Sequence, residues 1–248
     1  MSDRTVYKIS GPDARDFLQG LVTNDITKLD QGLVYAAMLT PQGKYRADFF
    51  LVPVEDAILL DIATSLALGI KQALTMYKLR SAVEIEDTDR VVTRGLGTPP
   101  DKAFADPRHP SLGWRGYDGQ PGDETVDWDA LRVDAGVPES DVELTSDSYI
   151  MEMGFERLNG VDFKKGCFVG QEVVARMKHK TDLRKGLARV HIQGTAPVGT
   201  EIRAGEKPAG TLFTQSGGKG LAYLRFDRAK GDMTAEDAVV QYTETSDT

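Results

Sequence analysis

The chain has 248 residues, of which 40% are hydrophobic and 27% are charged. This composition supplies ample apolar material for a globular core and excludes collagen, coiled coils and wholesale disorder. The formal charge of −8 provides no overall basic field for nucleic acid, and the one cysteine excludes an intramolecular disulfide or a cysteine-rich metal cage made by this sequence alone.

The first third of the chain predicts layers of mixed helices and strands. Short apolar runs alternate with turn residues, and Gly43 lies at the turn of a predicted β-hairpin. The element order favours an α+β fold over a doubly wound parallel sheet. The predicted strands cover residues 5–10, 33–39, 45–53, 57–62, 83–85 and 91–92. Two helices are predicted, the first capped by Asp13 and the second by Thr64 or Ser65.

The middle of the chain has weaker periodicity. Residues 95–123 are rich in proline and glycine and predict an irregular connection. A helix is predicted over residues 123–135, with Asp123 at its start and Gly136 at its end. Residues 138–165 predict an extended loop, and a short helix follows from Glu172.

The C-terminal part predicts a small β-barrel. After Asp182, five short apolar strands alternate with glycine-rich turns, which is typical of a barrel or sandwich. We therefore divide the chain into a region of residues 1–182 and a barrel of residues 183–248.

The N-terminal residues contain no apolar core of a secretory signal, and no apolar run approaches the length that a membrane span requires. A free thiol fits a reducing compartment, so we expect a cytoplasmic protein without a membrane partner. The three histidines have no partner at metal-ligand spacing, and no metal site is predicted.

The most unusual stretch surrounds the single cysteine. Gly166 and Gly170 bracket Cys167, and both allow backbone geometry or a close ligand approach that other residues prevent. Lys164, Lys165 and the start of the following helix favour the thiolate form. The alternatives are that Cys167 is a buried small hydrophobe and that the glycines only form turns.

A basic segment follows the same cysteine. From Lys164 to Arg189 the chain has eight basic and two acidic residues, which gives a local charge of +6 in an acidic protein. Such a segment suits a polyanion, such as phosphates, an RNA backbone or a polyglutamate tail. A solvated surface is the alternative.

The string Lys165-Gly166-Cys167-Phe168-Val169-Gly170-Gln171-Glu172 resembles the signature of the YgfZ family, the folate-binding relatives of the glycine-cleavage T-protein (aminomethyltransferase). Further segments are similar in the same order along nearly the whole chain. They are Phe17-Leu18-Gln19-Gly20, Thr23-Asn24-Asp25, Thr40-Pro41-Gln42-Gly43-Lys44, Tyr77-Lys78-Leu79-Arg80, Leu131-Arg132-Val133-Asp134-Ala135-Gly136 and Gly220-Leu221-Ala222-Tyr223-Leu224-Arg225.

The resemblance implies two related α+β modules around a channel that binds tetrahydrofolate or a one-carbon derivative, plus a C-terminal β-barrel. It also implies a role in the assembly or repair of iron–sulfur proteins, with effects on tRNA modification. The partners would then be folate and iron–sulfur client or assembly proteins.

The resemblance also implies site residues. Asp134 stands where the T-protein has a glutamate that pairs with the pteridine ring, and a carboxylate can accept two hydrogen bonds from that edge. Asp48 retains one of two acids of the T-protein hairpin, whereas the other position is Ala47. Cys167 and Asp48 are thus candidate catalytic residues. The candidate cofactor-binding residues are Asn24, Arg132, Asp134, Lys165, Gly166, Gly170, Gln171, Glu172 and Arg176.

Each of these residues also has an ordinary structural interpretation. Asp134 could be a solvated helical residue, Asp48 an exposed strand residue, and Asn24 a helix terminator. Arg132 and Arg176 could form surface salt bridges, and Gln171 and Glu172 could merely cap the helix that follows.

Three functions follow from these observations. The first is a folate-dependent accessory protein for iron–sulfur assembly, in which Cys167 is a reactive thiol or a transient cluster contact. The alternative is an aminomethyl- or other one-carbon transferase that uses Asp48 and Asp134. Direct RNA binding by the Lys164–Arg189 segment is a third hypothesis, against which the acidic remainder of the chain counts.

Overall fold

The computed structural model describes residues 4–179 and 183–242, and these fall into two compact units. The first unit comprises Met1–Val126 and Phe155–Arg176, and the second comprises Asp127–Gly154 and Met177–Thr248. The division at residues 182 and 183 stays a prediction, because residues 180–182 lie outside the described residues.

A five-stranded antiparallel sheet forms the core of the first unit, in the order β2-β3-β4-β1-β5. The predicted hairpin is confirmed, with Val34 opposite Leu51 and Leu39 opposite Tyr45. Strand β3 is buried on both faces, so its sequence is almost continuously apolar. The strands are β1 Arg4–Ser10, β2 Val34–Leu39, β3 Tyr45–Val54, β4 Ala57–Ala63 and β5 Glu84–Asp87.

Two helices cover one face of this sheet, namely α1 Ala14–Gln19 and α2 Thr64–Tyr77. Their predicted capping is wrong. The Asp13 carboxylate accepts a hydrogen bond from the backbone N–H of Ala82 at 2.7 Å instead of capping α1. Ala63, not Thr64 or Ser65, occupies the N-cap position of α2, so no side chain caps that helix.

The region predicted to be irregular contains two very short strands, and a third strand ends at its first residue, Gly95; the three pair in the order β6-β8-β7. The strand predicted at residues 91–92 begins later, at Thr93. Trp114 lies against the backbone of Gly95, where a Cβ atom would be only 2.3 Å from the indole ring. These strands are β6 Thr93–Gly95, β7 Phe104–Ala105 and β8 Trp114–Gly116.

The second unit contains helix α3 Trp128–Ala135 and a closed barrel of six strands. The predicted helix start at Asp123 is wrong, because Asp127 caps the helix by accepting the N–H of Ala130 at 2.9 Å. Asp123 instead accepts hydrogen bonds from Thr125 in a turn. The predicted end at Gly136 is confirmed, since this glycine has the left-handed conformation.

The barrel has the strand order β10-β11-β12-β9-β14-β13 and is closed. Side chains that alternate along its strands point inward and form a separate apolar core, which includes Val190, Ile192, Leu212, Leu224 and Val240. The sequence missed β13. The strands are β9 Lys185–Gln193, β10 Glu201–Ala204, β11 Lys207–Ser216, β12 Lys219–Arg225, β13 Asp232–Ala235 and β14 Ala238–Gln241.

The predicted α+β architecture with a C-terminal β-barrel is confirmed. Helix α4, Gln171–His179, begins one residue before the predicted position. The first unit also contains two short 3-10 helices, Ile26–Asp30 and Pro110–Leu112. No helix within residues 4–179 and 183–242 has the length and apolar character that crossing a membrane would demand.

Candidate functional site: the Cys167 loop

Cys167 lies on an irregular loop of the first unit, residues 159–170, which we call the Cys167 loop. The cysteine is exposed, so the alternative of a buried small hydrophobe is wrong. Gly166 is also exposed, whereas Lys165 and Phe168 on either side are buried. The thiol therefore lies on a short exposed segment, residues 166–167, between two buried side chains.

Lys165 attaches this exposed segment to the end of α1 and to the turn of residues 22–25, which we call the Thr23 turn. Its ammonium donates hydrogen bonds to the carbonyls of Gln19 at 2.7 Å, Val22 at 2.5 Å and Asn24 at 3.0 Å. The ammonium also lies 5.2 Å from the ring centre of Phe168. These carbonyls use all three N–H donors of the lysine, so its first role is structural.

Burial changes the acidity of this lysine. Desolvation lowers the pKa of Lys165 to about 8, although the negative charges of Asp25 and Asp162 act in the opposite direction. The ammonium is therefore still mostly charged at pH 7, where the three carbonyl oxygens can solvate it. A contact between Lys165 and a cofactor stays a prediction.

The backbone of the Cys167 loop is joined to the Thr23 turn as well. The hydroxyl of Thr23 donates to the carbonyl of Gly160 at 2.6 Å and accepts the N–H of Ala37 at 2.9 Å. The N–H of Asp162 donates to the Thr23 carbonyl at 3.0 Å. The loop is thus attached both to the turn and, through Thr23, to the central sheet.

Asn24, a predicted cofactor ligand, is buried and completes the same junction. Its amide group donates to the carbonyls of Tyr35 at 2.8 Å and Asn159 at 2.6 Å. Its oxygen accepts the ammonium of Lys28 at 2.9 Å, and Lys28 also pairs with Asp162 at 2.7 Å. Both ends of the side chain are engaged within the protein, while a contact with folate stays a prediction.

The two glycines of the motif differ in their surroundings. Gly170 has a φ of +84°, and a Cβ atom there would lie 2.7 Å from the carbonyl oxygen of Thr40 at the hairpin turn. Gly43 in that turn has a φ of +74° and packs against Val173 of α4. A Cβ atom added to Gly166 would have no other atom within 4 Å, and this residue has no positive φ, so its glycine is not required by packing. Hence only Gly170 requires the special backbone geometry.

The predicted residues on α4 lie on its first turns. Gln171 begins the helix, and Glu172 and Arg176 are exposed. The basic segment continues past this helix, but its members Lys180 and Asp182 lie outside the described residues. Their contribution to a polyanion site stays a prediction.

Asp48 is buried, so its interpretation as an exposed strand residue is wrong. Its carboxylate accepts hydrogen bonds from the hydroxyls of Tyr35 at 3.0 Å and Tyr45 at 2.6 Å. The ring of Tyr35 in turn stacks on Phe155 at 5.2 Å. These contacts give Asp48 a structural setting, and its participation in one-carbon transfer stays a prediction.

Arg132 and Asp134 belong to the second unit, on opposite sides of α3. Arg132 is buried, pairs with Glu143 at 2.9 Å and also bonds the hydroxyl of Thr214. It is therefore not the surface salt bridge that was the alternative. Asp134 is exposed and pairs with Lys219 at 2.6 Å, as a solvated helical residue would.

A cavity of about 550 Å³ opens beside Arg132 in the second unit. Its polar walls include carboxylates and side-chain oxygens, and its apolar lining comes from Val142, Ala196 and Val198. The full lining is Asp129, Arg132, Glu139, Val142, Thr195, Ala196, Val198, Thr214 and Gln215. The predicted cofactor-binding arginine thus borders a space of ligand size.

Sequence reasoning missed the residues that hold the Cys167 loop. Thr23 and Lys28 precede the cysteine by about 140 residues, and only the fold brings them to it. Asp162 carried a local signal, because an aspartate two residues before Lys164 can accept that backbone N–H, as it does at 2.7 Å. Among the described residues, no three His, Cys, Asp or Glu side chains converge as metal ligands would.

Comparison with known proteins relates the chain to iron–sulfur assembly factors. Residues 184–246 match the C-terminal β-barrel domain of CAF17. The iron–sulfur cluster assembly factor IBA57 homolog of Mycosarcoma maydis is 34% identical over 78% of this chain and 57% of its own length. The chain therefore spans little more than half of that fungal relative.

Mammalian relatives align over more of their length. Iron–sulfur cluster assembly factor IBA57 of Mus musculus is 27% identical, and the alignment covers 98% of this chain and 82% of the relative. The protein of the same name from Homo sapiens is also 27% identical, and the alignment covers 94% of this chain and 78% of the relative. All three relatives are named as mitochondrial.

A solved structure has the same fold. The glycine cleavage system aminomethyltransferase T of Bartonella henselae superposes with a TM-score of 0.74, over 96% of this chain and 82% of that protein, at 14% identity. The chain is thus similar in sequence to IBA57 proteins, and it has a CAF17-type barrel and a T-protein fold.

Proposed function

We propose that this protein is an accessory factor for the assembly or repair of iron–sulfur proteins, and that Cys167 provides a thiolate which contacts the cluster transiently. The observation that carries the proposal is the exposure of the chain's only cysteine on a loop anchored by buried hydrogen bonds. The similarity to proteins named as iron–sulfur cluster assembly factors supports the same role. We also propose that the chain is a member of the YgfZ family.

The number of thiols determines how the site would work. Iron–sulfur clusters of the common types take four protein ligands, and this sequence has one cysteine. The remaining ligands must come from a client or assembly protein, or from a second copy of the chain. An exposed thiol suits such a shared cluster, because the partner can reach the sulfur.

The test is the variant Cys167→Ser in cells that lack their own copy of the protein. We expect the activity of dependent iron–sulfur enzymes to fall to the level of the deletion, while an enzyme without a cluster keeps its activity. Protein abundance is measured in parallel. Unchanged iron–sulfur enzyme activity with the serine variant would exclude this role of the thiol.

We further propose that the protein binds tetrahydrofolate or a one-carbon derivative of it. The T-protein fold supports this proposal, as does a carboxylate on Asp134 that is exposed to solvent apart from its pair with Lys219. A pterin ring could replace the lysine as the partner of that carboxylate.

Titration with tetrahydrofolate tests the folate proposal. Asp134→Ala should weaken binding by roughly 0.5–1.5 kcal/mol, because it removes an exposed hydrogen-bond acceptor for the pterin ring. Lys219→Ala is the matched control, since it frees the carboxylate and should leave binding equal or tighter. Equal affinity of wild type and Asp134→Ala would contradict the assignment.

Two further parts of the proposal concern RNA and location. An effect on tRNA modification would follow indirectly, through iron–sulfur enzymes, and direct RNA binding would show a steep loss of affinity with salt. We propose a cytoplasmic location, which fractionation of cells that express the protein would test.

A further inference from the structure

We propose that Lys165 is the positioning residue for Cys167: its buried ammonium fixes where the thiol stands by fastening the Cys167 loop to the Thr23 turn. The inference rests on the proposed function, since it assigns how the active thiol is held. It assigns Lys165 no contact with substrate or cluster.

The hydrogen bonds of the Lys165 ammonium hold its nitrogen in one place. The carbonyls of Gln19, Val22 and Asn24 converge on one nitrogen at 2.5–3.0 Å. Three acceptors that match three tetrahedral donors fix the nitrogen in all directions, and the positive charge strengthens each bond. The residue is only 6% exposed, so water does not compete for these donors.

The thiol is close to this anchor along the chain. Only Gly166 separates Lys165 from Cys167, and a glycine restricts the backbone less than any other residue. Nothing lies within 4 Å of the position where a Gly166 side chain would begin, so this residue receives no support from packing. The anchors on either side, Lys165 and the buried Phe168, must therefore supply the order.

The three carbonyls come from a part of the first unit that is attached to the central sheet. They belong to the end of α1 and to the Thr23 turn, which is itself attached to β2 through the Thr23 hydroxyl and the Ala37 N–H. The nitrogen is thus tied to a rigid part of the first unit. A residue that served only to place positive charge beside the thiol would have its ammonium on the surface, as the exposed neighbour Lys164 does.

The experiment compares Lys165→Met with Lys164→Met. Both changes remove one positive charge close to Cys167, but only the first removes the buried anchor. The purified proteins are alkylated at Cys167 with a trifluoromethyl reagent, and fluorine NMR then reports how many environments the label occupies. Leu74→Ala, at a buried position of α2, provides a variant of reduced stability without a change near the loop.

We expect one sharp fluorine resonance for wild type, Lys164→Met and Leu74→Ala, and a broadened or divided resonance for Lys165→Met. In the complementation assay, Lys165→Met should lose at least tenfold in iron–sulfur enzyme activity, and Lys164→Met less than twofold. A folded Lys165→Met protein with the wild-type resonance would overturn the proposal, as would equal losses of activity from both lysine variants.

Lys165→Arg keeps the charge and serves if Lys165→Met does not fold. A planar guanidinium cannot direct three N–H groups from one nitrogen, so its label should also show more than one environment. A wild-type resonance would overturn the proposal. The Cys167→Ser result in cells decides the proposed function separately, because the fluorine measurement depends on neither a cluster nor a partner.

Discussion

Asp61 is predicted to be among the most costly polar residues to replace in the first unit. Its carboxylate pairs with Arg4 at 2.6 Å and Arg115 at 2.8 Å, and it accepts the hydroxyl of Tyr117 at 2.8 Å. The Asp61 side chain is fully buried, and those of Arg4 and Arg115 are 13% and 3% exposed. Removal of the negative charge would therefore take away the carboxylate partner of Arg4 and leave Arg115 with only the more distant carboxylate of Asp106, at 3.8 Å.

Asp61→Asn tests this expectation with a side chain of the same size. Breaking a buried pair by removal of one partner costs about 3–5 kcal/mol. Asp87→Asn is the matched control, because Asp87 pairs with Lys71 at the same 2.6 Å but is 76% exposed. The control should cost less than about 1 kcal/mol, since solvent screens an exposed pair.

Urea unfolding at pH 7, followed by tryptophan fluorescence, measures both losses. Trp114 is adjacent to Arg115 on β8 and reports directly on this region. The midpoint should shift far more for Asp61→Asn than for Asp87→Asn, with the slope unchanged. Equal shifts for the two variants would refute the argument that burial, not distance, determines the cost.

The acid limb of stability gives a second measurement on the same group. Burial alone would raise the pKa of Asp61, but Arg4 and Arg115 outweigh it and lower the pKa to about 2. Because the pKa of Asp61 is lower in the folded protein than in the unfolded chain, its carboxylate stabilises the folded state. This contribution is complete above the pKa of the unfolded chain, about 4, and is lost as the pH falls through about 2. The loss amounts to about 2 kcal/mol for this group. Asp61→Asn should lack this component of the acid dependence.

Two further predictions concern the Cys167 loop. Gly170→Ala should destabilise the protein by about 1–3 kcal/mol, because it forces a side chain into a positive-φ site. Gly166→Ala should change stability by less than about 0.5 kcal/mol. Thermal unfolding compares the two variants, and equal losses of stability would count against the reasoning. Thr23→Val should lower the free energy of unfolding by about 1–3 kcal/mol, since it removes the hydroxyl that bonds the buried Gly160 carbonyl and Ala37 N–H. An unchanged stability in urea unfolding would contradict the proposed junction between the Cys167 loop and the Thr23 turn.

Local signals predicted most regular elements of the fold. The hairpin of β2 and β3 followed from apolar runs on either side of a glycine turn, and Gly136 marked the end of α3. The helix starts were less predictable. Asp13 and Asp123 have the right chemistry for a cap, but their carboxylates bond Ala82 and Thr125 instead.

The sequence identified the Cys167 loop but not which of its two glycines the fold requires. The bracketing glycines and the single cysteine identified the Cys167 loop, and Cys167 is exposed there. The local sequence did not distinguish Gly166 from Gly170, because their difference arises from the hairpin turn that packs against only one of them.

The sequence by itself determined most of the element types, the position of five of the six barrel strands and the segment that carries the thiol, since these depend on periodicity and on residues close together in the chain. Only the tertiary structure decided that Lys165 and Asn24 hold the thiol-bearing loop and that Asp48 is buried between two tyrosines. The physical reason is that a buried polar group needs partners, and those partners come from residues far apart along the chain.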